Sequence, residues 1–579
     1  MKLKNILAIM LLAATTTGFL SSCSDKATDS QAPRLFRPVA SLVTSNNSVT
    51  ASWDNISGAT QYNLTLYRVS GQDEAGENIY EAVSTGSCES SPYTFEDLAW
   101  DEKYRVEISC SGNNIESKTY TTSDVNVAYP TSLKSSPKTI DNAARITWDL
   151  NGDQIKTIVA TPEDGEGDPV IVTLSDAQYE AGQIDIMGLE AGTKYIFTAY
   201  SDKEELSNST YVGKVTATTS KPIDFDEAYG AGKWLDIREY DENMAKDTLK
   251  TPEFWEQVSD GMTIILRGDF DYKVNNSQPF DKSVRFVTAS TLGNNARFVS
   301  SGGLTLAKGV TIDFIEFVNV DFISDKAMPK GGNEIATNTD KGFGGRQVFN
   351  INKTNSTLKK ISFKGCKIEG YRAMVRAQDK TDGIQEIEVD NCIINGIGDQ
   401  GVFTTNNKAA DFQKITLKNS TITNIVMLCD LRNSKGNIEF NIVNCTFCYA
   451  PIETTANANT PMFRINGNKN TVNLNVQNTL FGPSMYTGGG GASITTYKAG
   501  EKGSIFLNGS ETTLASVSKS FKTNFTWTEV GANLTTYPLD GLQELSVDET
   551  GLWSAPASGE FKLITSVGED GIGDPRWAE

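Results

Sequence analysis

The chain has 579 residues, 38% hydrophobic and 21% charged, with a formal net charge of −20, which is globular but longer than one ordinary core and so implies roughly two to four domains. It contains no His, which excludes Ser/His/Asp and Cys/His catalysis and His-ligated zinc hydrolysis. The acidity is concentrated before Lys250 and no basic stripe occurs anywhere, so nucleic acid is not an expected partner.

Met1-Lys2-Leu3-Lys4 precedes an apolar run from Ile6 to Leu20 that is too short for a membrane helix, so residues 1–22 read as an export signal. Leu20-Ser21-Ser22-Cys23 resembles the bacterial lipobox, which implies acylation of the Cys23 thiol and a membrane anchor there. Residues 23–36 read as a lipidated tether that begins with Ser24 to Ser30, in which no apolar residue is larger than Ala. Asp25 behind the Cys resembles the short acidic export signal of Bacteroidetes surface lipoproteins, implying an outer-membrane lipoprotein facing outside the cell; a periplasm-facing one is the alternative. Eight Cys less Cys23 leave seven, an odd number, so at least one is free or pairs between molecules. A Cys88–Cys110 bridge within one domain is open, since spacing alone does not establish it.

Residues 37–128 read as a β-sandwich of short alternating strands, among them Val49–Trp53, Tyr62–Leu66 and Tyr104–Ile108, separated by Gly, Asn and Asp turns. Leu98 lies six residues before Tyr104, which resembles the tyrosine corner of fibronectin type III modules. The pattern recurs over 129–220, with Trp148 matching Trp53 and Leu189 to Tyr195 matching Leu98 to Tyr104. Such modules serve more often as spacers than as binding sites.

Residues 221–250 read as a linker, and Thr251–Val258 as a short helix with Thr251 at the N-cap and Pro252 at its first position. Beyond it, one template repeats: Ile315 to Val320, Ile361 to Cys366, Ile387 to Cys392, Ile415 to Ser420, Phe440 to Cys445 and Leu474 to Thr479. The middle copies start about 25 to 28 residues apart, the length of one solenoid coil. Their first and third residues point inward, and Asn or Gly follows where a left-handed turn is needed. Cys366, Cys392 and Cys445 fall in one column and are expected to be inert buried thiols.

The repeat resembles the pectate-lyase-like right-handed parallel β-helix, over 251–579 with a C-terminal tail. Together with Gly573-Asp574-Pro575-Arg576-Trp577, the chain resembles Bacteroidetes lipoproteins in which fibronectin-like modules precede such a β-helix, often among polysaccharide-utilisation genes. The expected fold class is all-β.

A second repeat precedes most of these strands, in which Phe349, Val375, Phe403, Cys429 and Phe463 point inward. The expected outward row is Asn350, Arg376, Thr404, Asp430 and Arg464, flanked one pleat along by Asn352, Gln378, Asn406, Arg432 and Asn466. In the fold resembled, this face floors a sugar groove, and a row of guanidinium and amide groups suits acidic or hydroxyl-rich glycans. Tyr371, Tyr449, Tyr486 and Tyr497 are candidate walls. Three readings follow. The first is a surface lipoprotein that binds a polysaccharide, without a cofactor. The second is a polysaccharide lyase or an inactive relative, for which Ca2+ would be required although Asp430 is the lone candidate ligand in the row. The third is an adhesin or structural subunit of an outer-membrane uptake complex.

Overall fold

A computed structural model describes residues 34–578 except 74, 328–344, 353–354, 379–382, 406–411, 435, 454–461, 466–469, 487–505, 509–513, 525–536 and 568–570. The export signal, Cys23, Asp25, Asn406, Asn466 and Tyr497 lie outside the described residues, as does the side chain of Tyr486. The fold is all-β: two fibronectin type III-like sandwiches, then a parallel β-helix. Two compact units divide it, the first running to Pro137 and taking in 146–184 and 194–217, the second comprising 138–145, 185–193 and 218–579.

In the first sandwich, Ala40–Ser45, Ser48–Trp53 and Tyr93–Phe95 form one antiparallel sheet. The other is built on Asn78–Cys88, Gln61–Gln72 and Glu102–Gly112. Alternation does the sorting: along Glu102–Gly112 every second residue from Tyr104 is buried, giving Tyr104, Val106, Ile108 and Cys110 to the core. The Tyr104 hydroxyl donates to Ala99 O at 3.2 Å, the corner that the spacing from Leu98 announces. Cys88 and Cys110 do not bridge. Both stand opposite Tyr62, on the two strands that flank Gln61–Gln72, so two strand spacings, about 9.6 Å, separate their backbones, beyond disulfide reach. The same strand order recurs in the next repeat, as Lys138–Thr139, Ala143–Thr147 and Gln183–Met187 in one sheet and Val170–Thr173, Thr157–Pro162, Lys194–Tyr200 and Tyr211–Thr218 in another.

The solenoid starts earlier than its repeat suggests. Residues 221–250, expected to be a linker, contain the strand Trp234–Asp236, which pairs in parallel with Met262–Leu266 and so begins the first sheet. The reason is backbone satisfaction: without it the edge of Met262–Leu266, all five residues buried, would lack partners. Helices Glu242–Thr248 and Pro252–Gln257 bury Ala245 and Phe254 against this end; Thr251 is the N-cap of the second but makes no side-chain capping bond.

Ten parallel strands, from Trp234–Asp236 to Leu514–Ser518, make the first sheet. A second runs alongside from Asp271–Val274 to Gln543–Glu544. The third ladder consists of Gln347–Ile351, the ends of the long strands Lys367–Ala377 and Ile393–Thr405, then Cys429–Asp430, Phe463–Arg464 and Phe506–Asn508. Between first and second sheets the chain turns through left-handed residues: Asn319, Gly365, Asn391, Asn419, Asn444 and Asn478 have φ between 50° and 65°. Gly stands at 365 because a Cβ there would lie 2.2 Å from Asn319 Oδ1.

From Gly365 onward the residue after each turn is small and hydrogen-bonding for a reason, Val320 after Asn319 being the exception. Ser420 Oγ donates to Lys418 O at 2.6 Å and accepts from Cys392 N of the preceding coil at 3.0 Å. Thr479 and Ser520 repeat this, and the thiols of Cys366, Cys392 and Cys445 do so in longer form, so their column is one structural ladder. All three thiols are buried, and burial pushes those of Cys366 and Cys445 far above the usual range.

Candidate ligand-binding face of the solenoid

The inward row is as the alternation demands: Phe349, Val375, Phe403, Cys429 and Phe463 are buried and pair in register from coil to coil. The same register aligns Asn350, Arg376, Thr404, Asp430 and Arg464 on the other face. Strand pairing sets these rungs about 4.8 Å apart.

Their exposure corrects the expectation. Asn350, Arg376, Thr404 and Asp430 are 8%, 7%, 1% and 9% exposed, so four of the five form a buried polar seam. The rung spacing is short enough for each side chain to fold onto its neighbours. Gln378 Oε1 accepts from both Asn350 Nδ2 and Arg376 Nη1 at 3.0 Å. Thr404 Oγ1 lies 3.5 Å from Asp430 O. Burial first, then the like charge of Arg372, lowers the Arg376 pKa. Two atoms of the seam, Asn350 Oδ1 and Arg376 Nε, are buried without a hydrogen-bond partner among the described residues.

The accessible groups are Gln378, Arg432 and Arg464. Asp430 organises the last two: Arg432 Nε and Nη2 donate to its two oxygens at 2.8 and 2.7 Å, and Arg464 Nη1 lies 3.6 Å from the same carboxylate. One carboxylate thus holds Arg432 through two hydrogen bonds and pairs with Arg464, leaving Arg432 Nη1 and the Nε and Nη2 of Arg464 without a protein acceptor among the described residues. Asp430 does not fit a calcium ligand, since both oxygens are already taken by Arg432. No group of three His, Cys, Asp or Glu stands together as a metal site among the described residues.

The tyrosine walls are absent at two of their positions. Tyr371 is fully buried within Lys367–Ala377, its hydroxyl 2.8 Å from Ser300 Oγ, and Tyr449 is 3% exposed in a left-handed turn. Tyr371 joins the main core at the bulge where the long strand turns from second to third sheet, and Tyr449 packs in a separate cluster with Leu480, Trp553 and Phe561.

Sequence patterning misses the ion pairs at that corner, Arg372 with Asp399 at 2.7 and 3.1 Å and Arg346 with Asp325 at 2.8 Å, since alternation breaks there. It also misses the role of the tail. Asp574, 2% exposed, accepts from Thr421 Oγ1 at 2.7 Å; Trp577 Nε1 donates to that hydroxyl at 2.7 Å, and Arg576 Nη2 to Asn391 Oδ1 at 2.6 Å. The motif is a clasp across several coils.

No protein-family model matches the chain, and no curated protein matches it. Among solved structures, a two-domain fibronectin type III segment of chicken tenascin is 15% identical, with a TM-score of 0.14, covering 33% of this chain and 100% of that one. The FN1–FN3 domains of chicken CNTN1 are 14% identical, with a TM-score of 0.14, covering 33% of this chain and 68% of that one. Likenesses at that level carry no functional argument; the sandwiches are recognised by their strand order and the Tyr104 corner.

Proposed function

We propose that this chain is a surface lipoprotein, anchored to the outer membrane through acylated Cys23, that captures an acidic polysaccharide on the third ladder of its β-helix as part of polysaccharide uptake. The observation that carries the reading is the pair of accessible guanidinium groups, Arg432 and Arg464, both ion-paired with the buried Asp430 at the end of the seam. Fixed guanidinium groups are apt partners for a carboxylate or sulfate because little side-chain freedom is lost on binding. A rung spacing of about 4.8 Å also approximates one sugar unit of an extended polymer. The sandwich modules serve as the stalk. The anchor in this reading rests on Leu20-Ser21-Ser22-Cys23; among the described residues no helix is long and apolar enough to cross a membrane.

Affinity electrophoresis of the full chain against acidic and neutral polysaccharides tests the binding. Arg432→Gln with Arg464→Gln should abolish retardation by the acidic polymer, and raised salt should weaken the wild type. Unchanged retardation in the double variant removes the site from this face. Fatty-acid labelling tests the anchor: Cys23→Ala should incorporate none and leave the membrane fraction.

A further inference from the structure

The outer face of the second sheet is clasped by the Gly573–Trp577 tail over Thr421 and Thr446, but its earlier coils are open and form a cleft of about 300 Å3. Asp271, Arg297 and Asp321 stand there in one register, and Lys367 and Glu369 come from the next coil. The two cations are already engaged. Arg297 donates to both oxygens of Asp271 at 2.7 and 2.9 Å, and Lys367 Nζ lies 3.1 Å from Glu369.

Asp321 is left with neutral donors only. Its Oδ1 accepts from Asn295 Nδ2 and Lys367 N, each at 2.9 Å, while among the described residues Oδ2 accepts nothing and no ion pair forms. Burial pushes its carboxyl above the usual range, offset only in part by the hydrogen bonds from Asn295 and Lys367 N and by the nearby Lys367 charge, which is itself paired with Glu369. Asp269, at the cleft's other side, likewise has no ion pair among the described residues; its Oδ1 accepts from Asn294 N and Nδ2 at 2.8 and 2.9 Å. Its Oδ2 sits 1.6 Å from where a Cβ on Gly293 would be, so that carboxylate position requires Gly at 293. Four carboxylates against two cations leave the lining with two negative charges in excess.

We propose that this cleft binds a hydroxyl-rich ligand bearing an ammonium group, an unacetylated amino sugar unit, with the ammonium on Asp321 and hydroxyls on Asp269 and the flanking amides. An ammonium offers three donors and no acceptor, matching carboxylate oxygens that lack a donor. The excess negative charge repels uronates and sulfated sugars. The site lies on a different sheet from the proposed polysaccharide face, carries the opposite charge and does not depend on that reading.

Calorimetric titration of the full chain at neutral pH with glucosamine, N-acetylglucosamine and glucuronate tests it. Glucosamine should bind saturably, N-acetylglucosamine about tenfold or more weakly, and glucuronate not at all, since the charge-assisted contact is lost in one and inverted in the other. Asp321→Asn should weaken glucosamine about tenfold or more; Asp269→Asn, at an exposed position, provides a second variant that keeps the fold. The proposal is overturned if glucosamine gives no saturable heat, if both variants bind it unchanged, or if calcium binds and glucosamine does not.

Discussion

Thr421 and Asp574, 153 residues apart, meet at 2.7 Å in a buried hydrogen bond, and the same threonine hydroxyl accepts from Trp577 Nε1. Because Asp574 N also donates to Thr446 Oγ1 at 3.0 Å, the tail is tied to two successive coils. Thr421→Ala should therefore remove both bonds, leaving the Asp574 carboxylate with Arg576 alone and Trp577 Nε1 without an acceptor, and destabilise the solenoid by about 1–3 kcal/mol. Hydrogen exchange should rise first at residues 573–578, and unchanged protection there would deny the clasp.

Gly365→Ala should cost more than Gly309→Ala. Both glycines have left-handed φ, +65° and +74°, so both substitutions carry backbone strain of about 1 kcal/mol. Only at 365 does the new methyl also meet a neighbour, Asn319 Oδ1, whereas nothing lies within 4 Å at Gly309. Thermal midpoints of the two variants decide; equal losses would mean Asn319 moves aside freely.

Glu388 links stability to acid. Burial alone would raise its carboxyl, but hydrogen bonds from Lys360 and Lys418 bring it down to about 2. A depressed folded-state pKa gives stability that is present above the ordinary value of 4.5 and lost as pH falls toward 2. Acid unfolding of the β-helix should fall in that window. Lys360→Met with Lys418→Met should move its midpoint upward, and an unmoved midpoint would assign the acid sensitivity to other carboxylates.

Arg376 behaves as a core residue despite its charge. Arg376→Ala leaves a cavity and frees Gln378 of a donor, an expected loss of about 2–3 kcal/mol. Arg432→Gln, at a side chain 44% exposed, should cost less, about 1 kcal/mol, because Gln can still donate to Asp430 and Arg464 still faces its charge. Chemical denaturation separates the two, and an unaffected Arg376→Ala would return that side chain to the surface.

The sequence alone determined the all-β class, the Tyr104 corner, the inward row from Phe349 to Phe463 and the left-handed turns from Asn319 to Asn478. These follow from local rules, namely a period of two along a strand and the few residues that accept positive φ. Which side of a strand a residue takes was therefore legible, but whether that side is open was not. The burial of Arg376 and Asp430, the coupling of Arg432 to Asp430, the strand Trp234–Asp236, the cleft around Asp321 and the docking of Asp574 on Thr421 were decided only by the tertiary structure. Apart from the Arg432–Asp430 pair, which is local in the chain, each depends on which residues the stacking of coils or the docking of the tail brings together, a pairing between distant positions that no local pattern encodes.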